Sequence, residues 1–309
     1  MLTGIDIGGT KCAVVIGDAE GVQKKIRFET TTCAETLDRI FAAVERLGVG
    51  ECIGISCGGP LDSKRGIIQS PPNLPGWDNV PIVKMLEERF GVPAYLCNDA
   101  NACALAEWKY GAGKGSENMV FLTFGTGLGA GIIVNGRLLN GTCGAAGEVG
   151  HLRLAENGPV GFGKRGSFEG FCSGGGLAQI GRTLALEKLQ NGEKTAFCAS
   201  HADLNSITAK SLAEAAMAGD ETAIEVYRIS GEYLGKGLSL LVDILNPEVI
   251  VIGSVFARSE ALLRPAMESL MQKECLAPSL EACRVVPAAL GESIGDLAAL
   301  AVAMEGENL

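Results

Sequence analysis

Apolar positions near the start of the chain fall in short runs rather than at helical spacing. Residues 2–7, 11–17 and 22–29 read as three successive strands, joined by the turn at Gly8-Gly9 and by the hairpin signal Asp18-Ala19-Glu20-Gly21. The period then changes. Leu37, Ile40, Phe41, Val44 and Leu47 recur three and four apart, which predicts an amphipathic helix over 36–47, and 52–56 returns to strand. A shorter helix over 81–90 turns Val83, Leu86 and Phe90 inward and leads into a strand at 93–97. The helix expected from Asp99 to about Tyr110 ends in Gly111-Ala112-Gly113-Lys114-Gly115-Ser116, the best boundary between two lobes. Strand, glycine turn and strand begin again at Met119, followed by helices near 174–190, 208–218 and 222–245, a strand at 249–252 and an apolar helix over 297–304. The pattern predicts an α/β chain of two lobes, 1–115 and 116–295, with a C-terminal helix over 296–309 placed to pack back on the first.

The restart at Met119 repeats the layout of the N-terminus. Asp6-Ile7-Gly8-Gly9-Thr10-Lys11 and Phe124-Gly125-Thr126-Gly127-Leu128-Gly129-Ala130-Gly131 each place a glycine and threonine turn between two apolar strands. Two such turns, facing each other across a cleft, would offer backbone N–H groups and hydroxyls to a nucleotide triphosphate, because glycine admits an anion close to the backbone. A Walker A loop needs Gly-Lys-Ser/Thr opening a helix, and a dinucleotide fingerprint also needs a helix after its glycines. Here Ile132-Ile133-Val134 followed by Asn135-Gly136 reads as strand and hairpin, so both readings are rejected. Either turn alone is as often an ordinary tight hairpin; the pairing is what points to phosphate. Asp6 would lie near the phosphates, where a carboxylate is tolerated if a cation such as Mg²⁺ offsets the repulsion, and Lys11 adds a compensating charge.

Composition narrows the classes. Hydrophobic residues make up 47% of 309 against 20% charged, enough to build sizeable cores. With 26 basic and 36 acidic residues the formal charge is −10, so the average surface repels nucleic acid and anionic lipid. The 43 glycines are about twice the usual share and cluster at 125–131, 141–150 and 158–176, where loops shape the functional centre. Eleven cysteines occur with no C-x-x-C pair and no secretory leader pattern, which points to small buried hydrophobes in a reducing cytoplasm. The most apolar tract, 237–254, is interrupted by Asp243, Asn246, Pro247 and Glu248, so no membrane span is expected.

In order along the chain stand DIGGTK (6–11), Gly58-Gly59-Pro60, Pro72-Asn73-Leu74-Pro75-Gly76-Trp77, Asn98-Asp99-Ala100-Asn101, GTGLGAG (125–131), Gly147-Glu148-Val149-Gly150-His151 and Asn246-Pro247-Glu248-Val249-Ile250-Val251-Ile252-Gly253. Together they resemble the ROK family, sugar kinases and sugar-responsive repressors within the class of sugar kinases, actin and heat-shock ATPases. The resemblance covers essentially the whole chain. It implies the actin-like (ribonuclease H-like) fold, with the active site between the lobes, and transfer of the γ-phosphate of ATP, with Mg²⁺, to a hydroxyl, usually at C6, of a hexose or N-acylated hexosamine. Asp99 matches the family's catalytic base. A carboxylate just past a strand's carboxyl end suits that role, and the following helix N-terminus favours its ionised form, although Asn98 or Asp99 could equally serve as a helix cap. Gly59, Asn73, Asn98, Glu148, His151 and Glu169 match sugar-contacting positions, and the turns Asp6, Gly8, Gly9, Thr10, Lys11 and Gly125, Thr126, Gly127, with Gly253, match nucleotide-contacting ones.

Two departures stand out. The family often follows this histidine with three cysteines that, with it, hold a structural zinc; here those positions are Val160, Phe162 and Ser167, while Glu169 remains. A lone histidine cannot hold zinc, so no structural zinc is expected, with apolar packing by Val160, Phe162 and Phe168 in its place. The second is Gly253-Ser254, where paired glycines are usual. The resemblance also implies a homodimer or homotetramer. A sugar-sensing regulator, or a catalytically silent sugar or nucleotide binder, is the competing reading; a regulator's DNA-binding module would precede the strand that here starts at Leu2, and the charge disfavours it.

Overall fold

The short apolar runs at the start of the chain fold into β1 (Leu2–Ile7), β2 (Lys11–Asp18) and β3 (Gly21–Glu29), an antiparallel meander in the computed structural model, which describes residues 1–309. Helix α1 (Cys33–Leu47) follows, its first turn capped by Thr32, whose hydroxyl accepts the Glu35 N–H, and its inner face made by Leu37, Ile40, Phe41 and Val44. Next come β4 (Ile53–Cys57), the small hairpin β5 (Leu61–Asp62) and β6 (Ile67–Ile68), α2 (Ile82–Phe90), β7 (Ala94–Asn98) and α3 (Asp99–Tyr110). The first sheet has the order β3-β2-β1-β4-β7, with β4 parallel to both β1 and β7.

The second half begins with β8 (Met119–Phe124), β9 (Leu128–Val134) and β10 (Arg137–Leu138), and continues through the hairpin β11 (Val160–Gly161) and β12 (Lys164–Arg165) to α4 (Phe168–Phe171), α5 (Gly174–Gln190), α6 (Ala209–Met217) and α7 (Glu221–Leu245). Then follow β13 (Val249–Ile252), α8 (Val255–Glu274), α9 (Ala277–Ala282), β14 (Arg284–Pro287) and the C-terminal α10 (Ile294–Glu305). Its sheet runs β10-β9-β8-β13-β14, the order of the first sheet repeated: a three-strand meander, then two strands added on the far side of the first. This duplication makes the fold α/β of the actin-like ATPase type.

The chain divides into two compact units, one of Met1–Phe121, Gly131–Gly147 and Ala288–Leu309, the other of Leu122–Ala130 and Glu148–Pro287. In the first, α10 lies across β1 and β4, an approach possible because Gly4 and Gly54 have no side chains; a Cβ on Gly54 would sit 2.2 Å from the Ala299 carbonyl oxygen. The core beneath includes Ile5, Val14, Ile40, Ile55, Trp77 and Leu86. In the second, α7 and α8 pack closely through Gly231 and Gly235, whose Cα atoms face the Leu263 and Met267 carbonyls. Among the helices, none is long and apolar enough to cross a membrane.

Candidate active site

The first unit carries one group of candidate residues at the carboxyl ends of β1, β4 and β7. In the turn after β1 the Gly8 N–H closes on the Lys11 carbonyl oxygen (3.1 Å), and the Gly8 carbonyl accepts the Thr30 hydroxyl (2.6 Å). This leaves the amides of Gly9 and Thr10 as the donors a phosphate would meet. Gly9 is required by proximity rather than by its backbone angles: a Cβ there would lie 2.5 Å from the Asn73 carbonyl oxygen. Asn73 is itself held out toward solvent because Leu74 and Trp77 on either side of the bend are buried in the core. The Gly8–Thr10 turn and the Asn73 loop are thus seated on one another.

At the end of β7 the capping function falls to Asn98, whose Oδ1 accepts the Ala100 N–H at 3.0 Å; Asp99 Oδ1 shares that donor at 2.8 Å. The other Asp99 oxygen faces the β4 loop, where a Cβ on Gly58 would lie 3.8 Å away, and Asn98 Nδ2 stands against Gly59. Asp99 is exposed at the surface of this unit. Asp6 is partly buried, and its carboxyl is pushed up to about 6, first by that burial and then by the negative charges of Asp296 and Asp99, against weaker pulls from Lys25 and Arg27. Lys25 pairs with Asp296, so part of the positive charge near Asp6 is already committed.

The second unit carries a second group of candidate residues. Its turn repeats the device of the first: the Gly125 N–H closes on the Gly127 carbonyl oxygen (3.0 Å), leaving the Thr126 and Gly127 amides as donors, while Gly129 N–H goes to the Thr123 hydroxyl (3.1 Å). The Gly125 carbonyl accepts the Gly174 N–H at the start of α5 (2.8 Å). Beside the turn is a cavity of 520 Å³ lined by Gly125, Thr126, Gly174, Gly175, Ser254 and Arg258, among others, a volume typical of small-molecule sites. Gly253 closes β13 by donating its N–H to the Leu122 carbonyl (2.9 Å). Ser254 has φ 56° and ψ −112°, a backbone region suited to glycine, and its side chain does not cap α8.

Glu148 and His151 flank a single 3₁₀ turn and are both exposed, while Val149 and Gly150 between them are buried. Gly150 sits directly on β9, where a Cβ would come within 2.2 Å of the Leu128 carbonyl oxygen and 3.4 Å of Glu169 Cβ. Glu169 is set at the start of α4 by Ser167, which caps that helix by accepting the Gly170 N–H (3.1 Å). The Glu169 Oε2 atom accepts the Leu128 N–H at 3.0 Å.

The expectation of apolar packing by Val160, Phe162 and Phe168 is corrected. Phe168 is fully buried, its ring over Gly237, but Phe162 is 85% exposed and Val160 43%. Residues 160–165 form a hairpin whose tip, Phe162 with φ 43°, points away from the core. Its ring meets His151 edge-on with centroids 6.4 Å apart, and Lys164 Nζ holds the His151 carbonyl oxygen at 2.7 Å. Valine, phenylalanine and serine at the thiolate positions give zinc no donor set. The carboxyl environment of Asp6, by contrast, suits a cation, since one placed there would relieve three mutually repelling carboxylates.

The Glu169–Leu128 bond and the Arg258 wall of the cavity escaped the sequence reading, which singled out Ser254 beside Gly253. The glycine run 174–176 was the available signal, since such a run opening a helix marks a close backbone approach, here to Gly125.

The sequence profile of the ROK family matches residues 2–305. The chain belongs to the ROK family. A glucokinase of Streptomyces coelicolor is 32% identical over 313 residues, which covers 99% of this chain and 98% of that protein. Among solved structures, a ROK hexokinase from Thermus thermophilus superimposes with a TM-score of 0.80 at 32% identity, covering 98% of this chain and 97% of that one. A ROK family glucokinase from Streptomyces griseus, in complex with glucose and AMPPNP, gives 0.76 at 30% identity, with 99% of each chain covered.

Proposed function

We propose that this ROK protein is an ATP-dependent sugar kinase that transfers the γ-phosphate of ATP to a hydroxyl, at C6, of a hexose or N-acylhexosamine. The observation that carries the reading is the duplicated turn: in each unit the first glycine closes the bend and the next two amides are left as donors, Gly9 and Thr10 in one and Thr126 and Gly127 in the other. Paired amides of this kind suit phosphate oxygens. The likeness to glucokinases, one of them solved with glucose and an ATP analogue, makes glucose the first sugar to test.

In this reading Asp99 receives the proton of the attacking hydroxyl. Its Oδ1 is fixed by the Ala100 N–H while Oδ2 stays directed at the β4 loop, so the base is oriented without being consumed as the helix cap, which Asn98 supplies. Asn73, Asn98, Gly59, Glu148, His151 and Glu169 orient the sugar, where each buried hydrogen bond left unmade against a wrong epimer would weaken it. Adenosine occupies the cavity beside Gly125 and Ser254, next to Gly253. Asp6 would be the residue to hold a Mg²⁺ ion brought with ATP, and that ion would supply charge neutralisation for the transferring group. Positioning and exclusion of water account for most of the acceleration, since phosphoryl transfer asks little covalent chemistry of the protein.

A coupled assay of ADP formation over glucose, N-acetylglucosamine, N-acetylmannosamine, allose and fructose tests the proposal. Sugar-stimulated ATP turnover is expected, and Asp99→Asn should lower kcat by about 10²- to 10⁴-fold with sugar KM little changed. Full activity in that variant would remove Asp99 as the base. Absence of turnover with every sugar would replace the kinase reading with that of a sugar-sensing or silent binding protein.

A further inference from the structure

We infer that Glu169 is a positioning residue for the phosphate turn of the second unit, holding Gly125–Leu128 in its nucleotide-binding form before any sugar arrives. The inference rests on the reading that this turn binds nucleotide, and it goes beyond the contact with sugar that family resemblance assigns to Glu169.

Three contacts lead to it. The Oε2 atom accepts the Leu128 N–H at 3.0 Å, so one amide of the turn is committed to protein rather than to phosphate. Gly127 has room for no side chain because the same oxygen fills the space: a Cβ there would lie 2.7 Å away. Gly150, one residue before His151, packs on the Leu128 carbonyl and on Glu169 Cβ. The carboxylate therefore stands at the junction of the phosphate turn and the loop that carries Glu148 and His151.

Its charge makes the placement informative. A carboxylate beside a triphosphate site repels the ligand, so a side chain with no part in shaping the turn could be removed with a gain in nucleotide affinity. If the hydrogen bond to Leu128 shapes the turn, removal has the opposite effect. Comparing alanine with glutamine separates the two, since both lack the charge and only the glutamine carbonyl oxygen can accept the same N–H.

The experiment is calorimetric titration of the whole protein with Mg²⁺ and AMPPNP in the absence of sugar, with circular dichroism to verify the fold of each variant. Wild-type protein should bind. Glu169→Ala should bind about threefold to tenfold more weakly, the range for one lost hydrogen bond, whereas Glu169→Gln should match or exceed wild type. Unchanged or tighter binding by Glu169→Ala would overturn the inference, and so would a Glu169→Gln variant as weak as the alanine one. If Glu169→Ala does not fold, Glu169→Met takes its place, being neutral and of glutamine's length but without the acceptor oxygen: binding weaker than that of Glu169→Gln supports the bond, and equal binding refutes it. Failure of the wild type to bind AMPPNP would instead remove the nucleotide reading itself, a result separable from either variant.

Discussion

Replacing Asp6 with asparagine should make the protein more stable and less active, and the size of the first effect can be worked from the carboxyl's surroundings. Burial and the neighbouring Asp296 and Asp99 raise it from an ordinary 3.8 to about 6. At about 1.36 kcal/mol per pH unit, ionised Asp6 costs the folded state about 3 kcal/mol at neutral pH. Between these two values the unfolded chain has released its proton while the native protein still holds it, so stability falls as pH rises. The penalty is complete above about pH 6 and absent below about pH 3.8. Asparagine removes it. The gain should be about 3 kcal/mol at pH 8 and about 1 kcal/mol at pH 4.5. With an unfolding entropy of about 2.1 cal/mol/K per residue, the pH 8 gain raises Tm by about 5 °C. Thermal melts of both proteins at the two pH values, without nucleotide, check the sign and its pH dependence, and the ADP assay checks the loss of activity. A variant that melts no higher than wild type at pH 8, or that gains equally at pH 4.5, would refute the electrostatic account of Asp6.

Ser254→Gly should relieve a backbone conformation that glycine adopts freely; set against the added freedom of the unfolded chain, the net gain is about 1 kcal/mol, or about 2 °C in Tm, read by differential scanning calorimetry. A lower Tm would show that the serine side chain contributes more than its backbone angles take away. Because the thiolate positions are Val160, Phe162 and Ser167, exhaustive dialysis against a zinc chelator, followed by return of Mg²⁺, should leave activity and Tm unchanged. Metal analysis finding about one zinc per chain would contradict this.

The strand meanders and most helices follow directly from period and punctuation. Leu37, Ile40, Phe41 and Val44 form the buried face of α1 as their spacing predicts, and α3 begins at Asp99 and ends before Gly111. What the pattern missed lies mainly after Ser254. Helix α8 carries Pro265 in its interior and a kink at Ser259, so local punctuation there opposes what tertiary contact enforces, and α9, with Pro278 in its first turn, is only six residues long. Pairing of β14 with β13 is long-range and leaves little trace in four residues, Arg284–Pro287. The site was read mainly as separate motifs. That Asn98 provides the α3 cap, or that Glu169 bonds the Gly125–Leu128 turn, depends on side-chain directions that no spacing rule fixes. Phe162 misled for a related reason: an aromatic residue in a loop reads as core, but the Phe162-Gly163 tip of the hairpin carries it outward.

The bare strip formed by Gly4 on β1 and Gly54 on β4 has a consequence for biosynthesis. The helix that covers it, α10, is made after every strand of both sheets, beginning at Ile294. At about 5 to 20 residues per second, the ribosome leaves that strip waiting on the order of 15 to 60 s after β1 emerges. During this interval the earliest strands keep an uncovered face, and synthesis of α10, rather than of the first hundred residues, is what seals it.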